Sequence, residues 1–595
     1  MMFSQRVLVF LAVSALMLIS VAMISNEFYL RVIFTAAIYY ICAAGLNVLV
    51  GYAGLKSLGH AGLFAVGAYS VALLTTLGGW NPWLALIASA AIAGVFGLLI
   101  AMPALRVTGP SLAMVTISFG IIIEKIATEW NDPFGGQQGI YGILPLDFMG
   151  VPFSTRQWAL FTIILALATH VMLSSLLGGK FGRAFSAMRL SEVAAESLGV
   201  NSYRYKLLAF VFSAVFCGIG GALFAQQNQY FNSDFVTFNL SIFLLLTVLF
   251  GGSGNVLGPA LGAIVLTALD AFLANWPTLQ HFIYGALLLF ALLIMPDGLV
   301  GMLPKWGGAK HRTKAQMAAD WHVGSDRSVA ADQKPLLEAR NLEKAYGGIR
   351  PTRDMSFDLT RGKIHALIGP NGAGKTTLLN MISGAVRSDS GSILLEGREL
   401  TNRSAAAVSV SGVARTFQNL RLFGDMSVLE NVLIGQHNHM KHGVLAYLLC
   451  LPRTSIDEQR ARSEALAILD FLGLAERAND RADLLPYGLQ RRVEIGRALA
   501  TRPQLLLLDE PAAGLNPAES MELAGVVRNI ADAGITVLLI EHHMDLVMQI
   551  SDHVIVLDYG KKIAEGRPAQ VQADPAVIAA YLGVDEPDAQ SELRV

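Results

Sequence analysis

Cysteine is scarce throughout this chain, and charge is scarce in its first half. There are only 3 cysteines, Cys42, Cys217 and Cys450, in 595 residues. They cannot form a disulfide framework, and Cys42 and Cys217 lie in apolar runs. Neither charge sign is in excess: 44 Lys+Arg stand against 45 Asp+Glu, a net charge of −1. That balance excludes a strongly basic nucleic-acid binder and an acidic disordered chain. Charged residues make up 15% of the sequence, against about 25% in an average soluble domain. The shortage is confined to one end. Residues 1–304 carry 11 Lys+Arg and 10 Asp+Glu, about 7% of positions; residues 305–595 carry 33 and 35, about 23%. One half has membrane composition and the other cytosolic composition. At about 100–200 residues per domain, the length accommodates three or four units.

A helix crossing the ~30 Å hydrocarbon layer needs about 17–25 apolar residues. Runs near 7–25, 32–50, 62–78, 83–102, 110–126, 158–178, 207–225, 238–253, 257–275 and 281–296 predict about ten spans within a domain over 1–304. The first run follows Arg6 but shows no small-residue cleavage site, so it reads as a retained helix. Lys180, Arg183, Arg189, Arg204 and Lys206 cluster in 179–206, and Lys305, Lys310, Arg312 and Lys314 follow the last span. Loops on the other side hold only Arg31, Lys125 and Arg156. The positive-inside rule then puts the N-terminus, 179–206 and everything after 304 in the cytoplasm. Gly62, Gly67, Gly94, Gly97, Gly218, Gly220 and Gly221 predict close helix packing. Asp270, Asn47, Ser57, His60 and Glu124 are the polar candidates for a substrate path. The segment 189–198, stopped by Gly199, fits either an ordinary loop helix or one that docks on a motor domain.

Residues 305–334 lack an apolar period and predict a flexible linker. Strands and helices alternate after it, the mark of a parallel α/β sheet. The apolar strand Ile364–Ile368 runs into Gly369-Pro-Asn371-Gly372-Ala-Gly374-Lys375-Thr376-Thr377 and then a helix. This is a phosphate-binding loop. Glycines let backbone N–H groups wrap the phosphates, the helix N-terminus adds positive dipole, Lys375 reaches the outer phosphates and Thr376 ligates Mg²⁺. A second apolar strand, Leu505–Leu508, ends in Asp509 and Glu510. Asp509 is placed to hold Mg²⁺ and Glu510 to polarise the attacking water.

Across about 335–584 the chain resembles the ATP-binding subunits of ABC transporters. The resemblance implies that Tyr346 stacks on adenine. It implies that Gln418, in Arg415-Thr-Phe-Gln418, senses Mg²⁺ and the membrane domain, and that His542 contacts the γ-phosphate. Leu485-Pro-Tyr-Gly488-Leu occupies the signature position, before a helix over Val493–Ala500, and Gly488 is retained for the partner's ATP. The departures are Pro486, which lacks the usual serine hydroxyl, and Asn516 in place of the D-loop aspartate. The Tyr-Gly-x-Gln-Arg-Arg signature, the Ala-Gly-Leu-Asn-Pro D-loop and terminal Ala580-Tyr-Leu-Gly583 resemble the ATPases of branched-chain amino acid importers (LivG type). Gly45-Leu-Asn-Val-Leu-Val-Gly-Tyr-Ala-Gly54, Gly182-Arg-Ala184 and Gly251-Gly-Ser-Gly-Asn-Val-Leu-Gly-Pro259 resemble their permease (LivM type).

The resemblance implies a polytopic α-helical transmembrane domain followed by an α/β P-loop ATPase, with a flexible tail at 585–595. It implies ATP-driven import in a bacterial inner membrane, the ATPase facing the cytoplasm, and 179–206 as the coupling segment. Implied partners are a second permease and ATPase (LivH and LivF types, or another copy), a periplasmic solute-binding protein and lipid, with no nucleic acid. Rival readings are a urea, short-amide or aromatic-acid importer, an exporter or flippase, and a non-hydrolysing regulatory subunit. His437-Asn-His439-Met-Lys-His442 fits no standard zinc spacing and reads as a polar loop.

Overall fold

The computed structural model describes residues 2–107, 109–302 and 335–582. The expected linker at 305–334 and the tail at 585–595 lie outside the described residues. The chain divides into two units, one helical and one α/β.

The helical unit has a helix at each of the ten apolar runs: α1 (Met2–Met23), α2 (Glu27–Asn47), α3 (His60–Thr76), α4 (Pro82–Ala104), α5 (Pro110–Glu129), α6 (Thr155–Leu177), then, beyond the basic segment, Ser202–Asn228, Phe238–Gly251, Gly258–Leu273 and Pro277–Ile294. Six helical stretches among the described residues are long and apolar enough to cross a membrane. The stretches Leu8–Met23, His60–Thr76, Gly258–Leu273 and Phe282–Ile294 are apolar but shorter. Helix starts follow local chemistry. Asn26, Asn81 and Ser154 each accept a backbone N–H of the first turn, and Ser154 with Gln157 forms a capping box.

The 27-residue helix Ser202–Asn228 is the centre of this unit, and small residues set its spacing to its neighbours. A Cβ at Gly67 of α3 would lie 2.1 Å from the Gly218 carbonyl oxygen, and one at Gly221 would lie 1.9 Å from the Phe64 carbonyl oxygen. Backbone meets backbone at these crossings, so dispersion and packing act over the shortest possible distance. Most polar candidates prove to be structural. Asn47 donates to the Asn255 carbonyl and accepts from the Gly254 N–H, both at 2.9 Å. The buried His60 ring lies between Ser57 (3.3 Å) and Ser213 (2.6 Å). Cys42, Cys217 and Cys450 are all free thiols.

The α/β unit contains two sheets. The central one runs in the order Val413–Arg415, Leu505–Asp509, Thr536–Ile540, Ile364–Ile368, His553–Asp558, Lys561–Gly566. Its first five strands are parallel and the last is antiparallel. Leu505 to Leu508 are completely buried, each worth about 1.5–3 kcal/mol of transfer free energy. Alternation predicted this sheet but not the second, an antiparallel one ordered Ile349–Leu359, Leu337–Tyr346, Ser390–Leu395, Arg398–Glu399. Its two longest strands are half-exposed and bulged, which blurs their period.

The segment 190–201 groups with the α/β unit. Ser191 caps the short helix Glu192–Ser197, so the expected 189–198 helix is broken in two after Leu190. Gly199 (φ +85°) ends it, and Asn438 Nδ2 donates to the Leu198 carbonyl at 3.2 Å. A Cβ on Gly199 would sit 1.8 Å from that amide nitrogen.

Two outcomes are expected. Gly67→Leu and Gly221→Leu force α3 off its neighbour and should abolish monodisperse protein in detergent, whereas Gly285→Ala, with open space around it, leaves the chromatographic profile unchanged. His365 is buried, accepts the Thr360 N–H at 2.9 Å, and is pushed down by burial to about 4. Because the unfolded imidazole titrates near ~6.5, the unfolded chain binds more protons between those values, so stability is full above the upper one and falls as pH drops toward the lower. Urea melts at stepped pH should show this slope in the α/β unit, and His365→Gln should flatten it.

Candidate functional site

Three neighbouring parallel strands end at one place. Ile364–Ile368 opens into the phosphate loop, Leu505–Asp509 into Glu510, and Thr536–Ile540 into Glu541 and His542. Loops at the carboxyl ends of adjacent parallel strands are where such sheets place ligand groups.

The phosphate loop requires its glycines. Gly369 has φ +148° and Gly374 φ +99°; a Cβ at the first would lie 2.1 Å from the Leu557 oxygen, and at the second 1.8 Å from the Pro351 oxygen. Gly372 (φ +84°) has open space instead. The helix Lys375–Ile382 begins directly after Gly374. Lys375 is buried and its ammonium folds back on the loop, donating to the Gly369 and Pro370 carbonyls at 2.7 and 3.0 Å. Burial lowers its pKa, and the Glu510 and Asp509 charges oppose that shift. Asn371 and Thr376 are exposed and Thr377 half-buried along the same turn.

Glu510 sits between the two residues expected to work with it. Gln418 Nε2 donates to Glu510 Oε2 at 2.8 Å, and His542 Nε2 bonds Glu510 Oε1. The Glu510 backbone is left-handed (φ +47°), a conformation that costs a non-glycine residue on the order of 1 kcal/mol and recurs where side-chain aim matters. Asp509 is buried; Arg415 holds its Oδ2 at 3.1 Å, while Oδ1 has no hydrogen-bond partner among the described residues. Burial raises the Asp509 pKa and Arg415 opposes it. A buried carboxylate oxygen without a donor among the described residues suits a hard divalent cation.

The other expected residues are placed differently. Tyr346 ends its strand, half-exposed, with the Lys344 ammonium 5.4 Å from its ring centre. Its hairpin partner strand carries Pro351, which abuts Gly374. Gly488 neighbours Glu519 and Leu515 of the D-loop region. The signature helix starts at Tyr487, earlier than expected, because Pro486 fits the turn before a helix. Asn516 acts locally, capping Pro517–Asp532 in a capping box with Glu519. His439 bonds the Thr501 carbonyl and His442 the Asp457 carboxylate.

Four residues without an assigned role in the motifs hold the site together. Arg491 is fully buried and donates to the Phe417, Gln418 and Glu510 carbonyls at 2.6, 3.0 and 3.2 Å and to Glu494 at 2.8 Å. Glu494 also accepts the Phe417 N–H at 3.3 Å. Arg415 orients Asp509. Glu541, also buried, accepts the N–H groups of Ala512 (2.7 Å) and His542 (3.1 Å). The available signal for the Arg491–Glu494 pair is its i,i+3 spacing on the signature helix. Arg491→Met removes the bonds to the Phe417, Gln418 and Glu510 carbonyls and strips Glu494 of its nearest cation, leaving Arg497 at 3.6 Å, so thermal unfolding should show a loss of about 3–5 kcal/mol; Arg491→Lys, lacking the planar fork, should not restore it.

Both units resemble known proteins. Residues 28–292 match the family "branched-chain amino acid transport system / permease component", 352–513 match the ABC transporter family, and 561–587 match the branched-chain amino acid ATP-binding cassette transporter family. The branched-chain amino acid transport ATP-binding protein BraF of Pseudomonas aeruginosa is 42% identical over 251 residues, spanning 42% of this chain and 98% of that protein. LivG of Escherichia coli is 43% identical over 251 residues, with the same coverage of both chains. A solved nucleotide-free cassette from an ABC transporter is 34% identical and covers 42% of this chain and 100% of its own, with a TM-score of 0.37. The chain belongs to the branched-chain amino acid ABC transporter family, with permease and ATP-binding cassette joined in one polypeptide.

Proposed function

We propose that this chain is one permease half and one motor of an importer for branched-chain, hydrophobic amino acids, driven by ATP hydrolysis. About ten spans cross a bacterial inner membrane, and the ATPase faces the cytoplasm. The motor needs a second permease and a second ATPase, of LivH and LivF types, and a periplasmic binding protein that delivers the cargo.

The observation that carries this reading is the grouping of Gln418, Glu510 and His542 beside Asp509 and Lys375. In it, backbone N–H groups of the phosphate loop and Lys375 hold the phosphates, and Tyr346 offers a ring face to adenine. Asp509 and Thr376, with Gln418, are the residues that would hold Mg²⁺, whose charge neutralises the phosphate oxygens when bound. Glu510 aims an attacking water, and His542 keeps that carboxylate oriented toward the γ-phosphate. Lys375 releases the two carbonyls it now contacts to meet phosphate. Gly488 serves the nucleotide of the partner motor, where Pro486 supplies neither hydroxyl nor N–H. The segment 190–201, grouped with the α/β unit, supports the coupling role.

The test is uptake by the assembled complex in proteoliposomes. Lys375→Ala should lose ATP binding, hydrolysis and leucine uptake together. Glu510→Gln should keep ATP binding while turnover falls about 10²-fold or more. Uptake that persists in Lys375→Ala would refute the scheme, and wild-type competition by urea or benzoate but not isoleucine would refute the cargo.

A further inference from the structure

The helical unit contains a cavity of about 470 Å³ to which no role attaches in the motor or in the helix packing. It lies among α2, α3 and the helices Ser202–Asn228, Phe238–Gly251, Gly258–Leu273 and Pro277–Ile294. Its apolar wall includes Tyr39, Phe64, Phe224, Phe243 and Leu288. Tyr39 and Phe243 pack with ring centres 4.9 Å apart, and Phe243 and Tyr284 at 5.5 Å, so the wall is a continuous aromatic surface.

Asp270 and Asp234 also line this cavity, and no lysine or arginine does. Gln280 and Tyr284 both donate to a single oxygen of Asp270, Oδ1. Among the described residues nothing donates to Oδ2, and no cation pairs with the carboxylate. An ionised carboxylate on an apolar helix of the permease is costly unless its charge is used. Two donors on one oxygen fix the group's orientation and leave the other oxygen available to a cation. A second polar feature has the opposite sign. The helix Phe238–Gly251 begins in the lining, with Thr237, Asn239 and Leu240 contributing. The N-terminus of this 14-residue helix, where Thr237 Oγ1 caps the Leu240 N–H at 3.4 Å, carries partial positive charge that favours a carboxylate.

We propose that this cavity is a substrate subsite of the permease for a zwitterionic α-amino acid with an apolar side chain. Asp270 receives the ammonium, the helix start at Thr237–Leu240 receives the carboxylate, and the aromatic wall receives the side chain. The proposal rests on the importer reading above and names the groups that would select the cargo inside the membrane. A neutral amide such as urea leaves both charged ends unused, and an aromatic acid leaves Asp270 unpaired.

Binding of tritiated L-leucine to the purified complex, without its solute-binding protein, tests the site directly; uptake with the binding protein tests its use. Asp270→Asn removes one charge-assisted contact, so leucine retention should fall about tenfold or more. Basal ATP hydrolysis and the melting temperature should stay as in wild type. Tyr284→Phe keeps the charge and should retain most of the binding. Leucine carrying a methylated carboxyl should bind more weakly than leucine to wild type and to Asp270→Asn alike. If Asp270→Asn fails to assemble, Leu240→Trp, which fills the cavity while keeping both carboxylates, should block uptake. Unchanged leucine binding and uptake in Asp270→Asn, or unimpeded uptake in Leu240→Trp, would overturn the subsite. A wild-type complex that imports urea or benzoate and not leucine would instead overturn the importer's cargo, so the two failures are distinct.

Discussion

The Arg491 guanidinium ties together three segments that sequence keeps far apart. Its two terminal nitrogens reach the carbonyls of Phe417 and Gln418, the carbonyl of Glu510, and the carboxylate of Glu494. The Gln418 and Glu510 side chains can meet at 2.8 Å because their backbones share this one cation. A flat, rigid fork suits this role, since its donors are fixed relative to one another. Taking the charge out of water costs several kcal/mol, which three carbonyl hydrogen bonds and the Glu494 ion pair must offset. Arg497 completes the group, 3.6 Å from Glu494 and with its guanidinium 4.8 Å from the centre of the Phe423 ring. The helix that starts at the signature is thereby joined to the loops that handle nucleotide.

The helical unit obeys a different constraint. Lipid offers no hydrophobic advantage to helix association, so contact quality decides it. Gly67, Gly218 and Gly221 bring α3 and Ser202–Asn228 into backbone contact, and buried polar groups such as Asn47 and His60 find partners across helices. Asp270 is the exception: its two donors are uncharged, and it borders a cavity. In a unit with so few charges, that difference separates a structural polar residue from one available to a ligand.

Much of the nucleotide site was legible in the sequence. The phosphate loop, Asp509 and Glu510 are contiguous motifs whose spacing encodes their geometry, and Gln418 and His542 came from the family resemblance at matching positions. Arg415 and Glu541 were visible within those motifs, yet their roles depend on neighbours 94 and 29 residues away. The antiparallel sheet was missed because its strands are bulged and half-exposed, and a period of two does not survive a bulge. Asn516, a departure from the family pattern, became intelligible as a helix cap.

Composition alone divided the chain into an apolar half and a charged one, because the solvent each half meets dictates its residues. Short motifs alone placed the phosphate loop, because φ-positive glycines and a helix start are local matters. What the tertiary structure decided were the pairings that no local rule contains: a buried arginine shared by two loops and its own helix, a carboxylate oxygen left without a donor at Asp509, and an acid at Asp270 facing an aromatic cavity. Each depends on which distant backbones come within about 3 Å of one another, and that distance is set by the packing of whole helices and sheets.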